Sequence, residues 1–88
     1  MAFTKEDVKI TILNKMVRWR KWGGAHTGNI LKGLPRAIWG KKIVKKAVKE
    51  LEDSGWLLSA KKTGEKHYFL NPAKSYEILE FLHSHPFN

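Results

Sequence analysis

The chain has 88 residues, which is enough for one domain over 1–88 and too short for two independent cores. Lys and Arg number 17 against 8 Asp and Glu, giving a formal charge of +9, and the apolar content of 42% is globular. The lack of cysteine excludes disulfides and thiolate chemistry, and no apolar run exceeds three residues, so no membrane span is expected. Such a basic domain usually binds a polyanion, most often nucleic acid.

The first segment is predicted to be an amphipathic helix over about residues 5–21. Thr4 is a favourable N-cap, and the acids that follow it suit the start of a helix dipole. Apolar residues recur at helical spacing from Val8 to Trp19, which predicts one broad buried face that includes Trp19. A short second helix is predicted over about 27–34.

The third segment, over about 36–54, carries the clearest pattern in the chain. At about 100° per residue, five lysines fall on one arc of the helix and five apolar residues on the opposite arc, without overlap. The lysines are Lys41, Lys42, Lys45, Lys46 and Lys49, and the apolar residues are Ile43, Val44, Ala47, Val48 and Leu51.

The last third of the chain predicts a β-hairpin followed by a helix. Strand-like runs flank the polar turn Lys61–Glu65, which places the hairpin within 56–70. Asn71 followed by Pro72 is a typical helix start, so a final helix is expected over about 72–84. One side of that helix is apolar and its net charge is small, which suggests a homodimer interface.

This order of elements resembles a winged helix-turn-helix domain, an α+β fold with a three-helix core, a β-hairpin wing and an additional C-terminal helix. The resemblance runs from about Ile12 to Leu70 and rests most on Lys49–Leu57, which closes a basic helix ahead of the hairpin. The chain also resembles small stand-alone archaeal winged-helix proteins, through Lys45–Leu51 and Leu70–Pro72. The resemblance implies that residues 40–54 enter the major groove and that the hairpin follows the adjacent backbone.

Lysine is a flexible point charge that suits phosphates better than base edges, so strong phosphate binding with limited base readout is expected. The ordinary alternative is a solvated helix surface and a polar turn. The predicted contact residues are Arg36, Lys41, Lys42, Lys45, Lys46, Lys49, Lys61, Lys62 and Lys66.

A second basic region interleaves Arg18, Arg20 and Lys21 with Trp19 and Trp22. Such a patch can stack single-stranded bases. The favoured interpretation is nevertheless that Trp19 belongs to the core, because it continues the apolar face of the first helix. Trp39 is expected either to pack over the turn before the lysine helix or to contact a sugar-phosphate backbone.

The sequence predicts no catalytic residue, metal site or cofactor. The pair His83 and His85 is spaced i, i+2 and does not share a helical face, and Glu77 and Glu80 form an ordinary surface pair. No glycine-rich phosphate loop is present, and the sequence leaves open whether a small-molecule ligand binds.

The leading hypothesis is therefore a non-enzymatic, double-stranded DNA-binding protein of the cytoplasm, a transcription regulator or chromatin-type factor. The alternative is a protein-interaction or RNA-binding module of a larger intracellular assembly, since fold alone does not decide function. A single exposed patch would favour a protein partner. Its members would be Trp22, Trp39, Tyr76, Phe81 and Phe87.

Overall fold

The computed structural model describes residues 4–23, 34–62 and 64–84, and its architecture is α+β, as predicted. The predicted short helix over 27–34 lies outside the described residues except for Leu34, which is buried. None of the helices in the described ranges is long and apolar enough to cross a membrane. The elements are α1 (Lys5–Arg18), a 3₁₀ turn (Arg36–Ile38), α2 (Lys42–Asp53), β1 (Leu57–Lys62), β2 (Glu65–Leu70), a second 3₁₀ turn (Pro72–Lys74) and α3 (Ser75–Ser84).

Helix α1 begins as its sequence predicts. The Thr4 hydroxyl accepts from the Asp7 N–H at 3.1 Å, and the Asp7 carboxylate accepts from the Thr4 N–H at 3.0 Å, a reciprocal capping box. The helix ends at Arg18, three residues before the predicted end, because the backbone turns into the left-handed region at Arg20 (φ 53°). Trp19 thereby leaves the apolar face and is 39% exposed, so its predicted place in the core is wrong.

Helices α1 and α2 pack through the apolar faces that their periodicity predicts. Val8, Ile12 and Met16 of α1 lie in one buried cluster with Val44 and Leu51 of α2. The predicted helix over 36–54 is interrupted, since a 3₁₀ turn occupies its start and the chain is extended at Lys41 (ψ 148°), the N-cap of α2. Gly40, a poor helix former, lies at this break.

The two strands of the β-hairpin are longer and their connection is shorter than predicted. The antiparallel register runs from Leu57 opposite Leu70 to Lys62 opposite Glu65, which leaves two residues in the connection instead of five. Gly64 supplies the positive φ (81°) that a two-residue hairpin connection requires. The strands therefore extend through most of the predicted polar turn.

The C-terminal helix closes the core. The Asn71 side chain accepts from the Ala73 N–H at 3.0 Å and donates to the Gly55 carbonyl at 2.8 Å, so one residue caps the helix and joins it to the end of α2. The first turn of the predicted 72–84 helix is 3₁₀, and α3 follows it. Ile78 is buried, and Phe81 meets Trp56 edge-on with ring centroids 5.4 Å apart.

Candidate nucleic-acid interface

The predicted lysine arc lies on the solvent side of α2. All five lysine side chains are exposed, whereas Val44, Ala47, Val48 and Leu51 on the opposite side are buried. Lys49 Nζ lies 3.8 Å from Asp53 Oδ2, an exposed pair of the kind that contributes little to stability. Within the described ranges no ion pair engages the other lysines of the arc. They are Lys41, Lys42, Lys45 and Lys46.

An ion-pair cluster joins α2 to α1. Glu50, on α2, receives Lys5 Nζ at 2.5 Å and Lys9 Nζ at 2.6 Å from α1. These two hydrogen-bonded ammonium groups, Lys5 first, lower the pKa of Glu50 to about 2, so the carboxylate is charged at every physiological pH. Sequence reasoning missed this cluster, because Glu50 is more than forty positions from both lysines and no local pattern links them.

The amino-terminal end of α2 adjoins a second basic and aromatic unit. The Arg36 guanidinium carbon lies 5.3 Å from the centroid of the Trp39 ring, a cation–π contact. Trp39 Nε1 donates to the Leu34 carbonyl at 2.9 Å, and the ring packs against the core. Of the two predictions for Trp39, packing over the turn is therefore confirmed. Arg36 itself remains exposed beside the first lysines of α2.

The hairpin leads directly out of α2. Lys61 is exposed near its tip, and the backbone register places position 61 opposite position 66 and position 62 opposite position 65. The side chains of Lys62 and Lys66 lie outside the part of the chain that the structure describes. Of the nine predicted contact residues, six thus lie on α2 or immediately before it, and the other three lie on the two strands.

Acidic and histidine side chains form no comparable site in the described part of the chain. No three of them are grouped so as to hold a metal ion there. Glu77 and Glu80 are exposed, and Glu77 Oε2 lies 3.7 Å from Lys74 Nζ. His83 is exposed on α3, and the prediction for His85 lies outside the described residues.

The five aromatic residues considered for a protein-binding patch do not share one exposed surface. Trp22, Trp39 and Phe81 pack against the core, and Phe87 lies outside the described residues. Tyr76 alone among the described four is strongly exposed, at 77%, with Leu79 three residues later at 48%. A smaller apolar surface therefore remains on α3.

Comparison with known protein families, with curated proteins and with solved structures finds no match. The three described α-helices and the two-stranded hairpin are compatible with a winged-helix arrangement. The case for function accordingly depends on the residues of this chain.

Proposed function

We propose that this protein is a non-enzymatic, double-stranded DNA-binding protein of the winged-helix type, acting as a transcription regulator or chromatin-type factor. The observation that carries the proposal is the solvent face of α2, where five lysines are exposed and the one exposed acid of the helix, Asp53, lies at its carboxyl-terminal end beside Lys49. A predominantly positive face on a helix that packs against the core is well suited to a polyanion.

The dimensions of α2 suit the major groove. Its 12 residues span about 18 Å, and a helix of about 10–12 Å diameter fits a groove about 12 Å wide. The Lys41 side chain does not cap α2, and the first N–H bonded to the Lys41 carbonyl is that of Val44, so the N–H groups of Lys42 and Ile43 at the start of the helix could bind a phosphate. The hairpin then serves as the wing, with Lys61, Lys62 and Lys66 contributing to backbone contacts.

The five lysines of this arc favour phosphate contacts over base discrimination. We therefore expect tight, salt-sensitive binding with modest sequence preference, in keeping with a packaging role or with a regulator whose site depends on few bases. Arg36, stacked on Trp39, is the arginine next to α2 that could read a guanine.

The test is fluorescence anisotropy with labelled duplexes of mixed sequence at several salt concentrations. Wild-type protein should bind duplex DNA with an affinity that falls steeply as salt rises, and the double charge reversal Lys45→Glu/Lys46→Glu should abolish that binding. Lys74→Glu, on the 3₁₀ turn before α3, is the control for a charge reversal outside α2, and Lys45→Glu alone is the single reversal that matches it in charge. Unchanged affinity of the double variant would refute the mechanism, and stronger binding to duplex RNA would favour the RNA-binding alternative.

A protein-interaction role is the second candidate, and the exposed Tyr76 and Leu79 on α3 favour it. We propose that these side chains mediate self-association of the chain into a homodimer. Sedimentation of the wild-type protein at high micromolar concentration should then show dimer, and Tyr76→Asp should give monomer. A monomer at all concentrations would remove this proposal without affecting DNA binding by α2.

A further inference from the structure

The end of α1 carries a basic and aromatic surface that the proposed duplex interface does not use. Trp19 is the most exposed tryptophan in the described structure, and the side chains on either side of it, Arg18 and Arg20, are also exposed. Residues 15–23 contain four cationic side chains and no acid. An aromatic side chain and its two arginine neighbours in the sequence are therefore all open to solvent at this end of the helix.

The backbone at this surface is strained at Arg20. The Arg20 N–H donates to the Val17 carbonyl at 3.0 Å and the Lys21 N–H to the Met16 carbonyl at 2.9 Å, which is the Schellman pattern of helix termination. That pattern requires a left-handed residue, usually glycine, and here the residue is Arg20 (φ 53°). It is the one non-glycine residue with positive φ among the described residues.

This strain indicates a role for the Arg20 side chain other than stability. Glycine would adopt the same backbone without the Cβ penalty, so the guanidinium is kept at a conformational cost. Strained positions of this kind are concentrated at binding and catalytic sites. Residues 15–23 contain no acid, and no ion pair within the described ranges engages Arg20, so an internal ion pair does not account for it.

The surface is rigidly mounted at the base of the hairpin. The Leu70 N–H donates to the Lys21 carbonyl at 2.7 Å, and the Gly23 N–H donates to the Leu70 carbonyl at 3.0 Å. Trp22, between them, packs against the core. Leu70 pairs with Leu57 at the open end of the hairpin, so this surface lies roughly 17 Å from the tip, at about 3.3 Å per strand residue.

We infer that Trp19, Arg18 and Arg20 form a binding site for an unpaired nucleobase and its flanking phosphates in single-stranded nucleic acid. A base stacks on the exposed indole, and the two guanidinium groups bind the phosphates on either side of it. A closed duplex buries its bases and offers this site phosphates alone. The site therefore adds single-strand recognition to a protein whose α2 face suits a duplex.

The ring is tested by anisotropy with labelled oligo(dT), oligo(U) and a blunt mixed-sequence DNA duplex. Stacking on one base corresponds to roughly a 5- to 150-fold change in affinity. Trp19→Ala should weaken single-strand binding within that range and change duplex affinity by less than about twofold, whereas Trp19→Phe should retain most single-strand binding. The two single strands distinguish DNA from RNA as the source of the base, and binding to either one supports the site.

The guanidinium is tested with Arg20→Gly, which relieves the backbone strain while removing the charge. This variant should melt at a higher temperature than the wild type and yet bind single strands less tightly. Lys46→Gln removes the same charge from α2 and should weaken duplex binding more than single-strand binding. This opposite pattern separates the site at Trp19 from the interface on α2, so either can fail alone.

Three results would overturn the inference. The first is single-strand affinity that Trp19→Ala leaves unchanged. The second is an equal loss for duplex and single strand in that variant, because stacking acts on unpaired bases alone. The third is an absence of binding by the wild-type protein to both single strands at low salt. Circular dichroism of each variant confirms that the fold is intact, as expected for changes at exposed side chains.

Discussion

Neutralising the centre of the lysine face gives the sharpest test of the duplex interface. Lys45 and Lys46 are exposed in the middle of α2, and no ion pair engages them within the described ranges. Glutamine at both positions retains side-chain length and a helix propensity close to that of lysine. The variant Lys45→Gln/Lys46→Gln should therefore have a free energy of unfolding equal to that of wild type or higher by up to about 1.5 kcal/mol, because it removes three like-charge pairs at i, i+4.

The size of the binding effect follows from counterion release. Each neutralised phosphate contributes about 0.9 to the slope of log affinity against log salt, so two lost contacts lower that slope by about 1.8. The ratio of wild-type to variant affinity should then be about 200 at about 0.05 M salt and about 30 at about 0.15 M salt. The ratio must shrink as salt rises, because the lost contribution is electrostatic.

The assay is anisotropy with a mixed-sequence DNA duplex at four or five salt concentrations for wild type, the double variant and Lys74→Gln. Lys74→Gln, the control, removes one charge at a position outside α2, and it should leave the slope of log affinity against log salt close to that of wild type. A slope that is the same for the double variant and the wild type would refute phosphate contact by Lys45 and Lys46. An affinity loss that does not depend on salt would point to a change of structure instead.

Three further expectations concern the fold. Because the pKa of Glu50 is lowered to about 2, its ion pairs stabilise the protein above about pH 4.5, and this contribution is lost as the pH falls toward 2. The melting temperatures of wild type and Glu50→Gln should therefore differ at pH 7 and converge by about pH 2. A difference that stays constant with pH would contradict this. Leu51 is 2% exposed, so Leu51→Ala should cost about 2–5 kcal/mol in denaturant unfolding, and a cost below about 1 kcal/mol would contradict its place in the core. A Cβ at Gly40 or Gly64 meets nothing within 4 Å, so the backbone conformation alone should decide the effect of alanine at each position. Gly64→Ala should destabilise the protein by about 1–2 kcal/mol because φ is 81° there. Gly40→Ala should be neutral or stabilising by up to about 1 kcal/mol.

Local periodicity was sufficient to predict the architecture and the central element of the candidate site. The lysine and apolar arcs of α2 appear in the structure as exposed and buried faces. Apolar residues that recur at helical spacing lie on one side of the helix, so burying Val44, Val48 and Leu51 exposes the lysines on the other side. The cap at Thr4 and the cap at Asn71 were equally readable, since each acts on backbone groups within three residues.

Features that depend on tertiary contacts or on helix termination were not predictable in this way. The apolar spacing of α1 continues to Trp19, yet the helix ends one residue earlier and the Trp19 ring lies at the surface. Position 20 is not a glycine, so the sequence does not indicate the left-handed backbone conformation that ends the helix there. Local sequence patterns likewise do not predict the hydrogen bond from Trp39 to the Leu34 carbonyl or the ion pairs of Glu50.

The lysine face of α2 is arranged unfavourably for stability, which supports a role in binding. Lys41–Lys45, Lys42–Lys46 and Lys45–Lys49 are like-charged pairs at i, i+4, each unfavourable by about 0.2–0.5 kcal/mol. Positive charge at the start of α2 also opposes the helix dipole. Changing Lys45 to Glu replaces repulsion with attraction toward Lys41 and Lys49, so this variant should melt at or above the wild-type temperature while losing duplex affinity. Arg20→Gly predicts the same opposition of stability and binding at the end of α1. A lower melting temperature for Lys45→Glu would mean that the arc contributes to the fold, and the inference from its charge pattern to nucleic-acid binding would then be wrong.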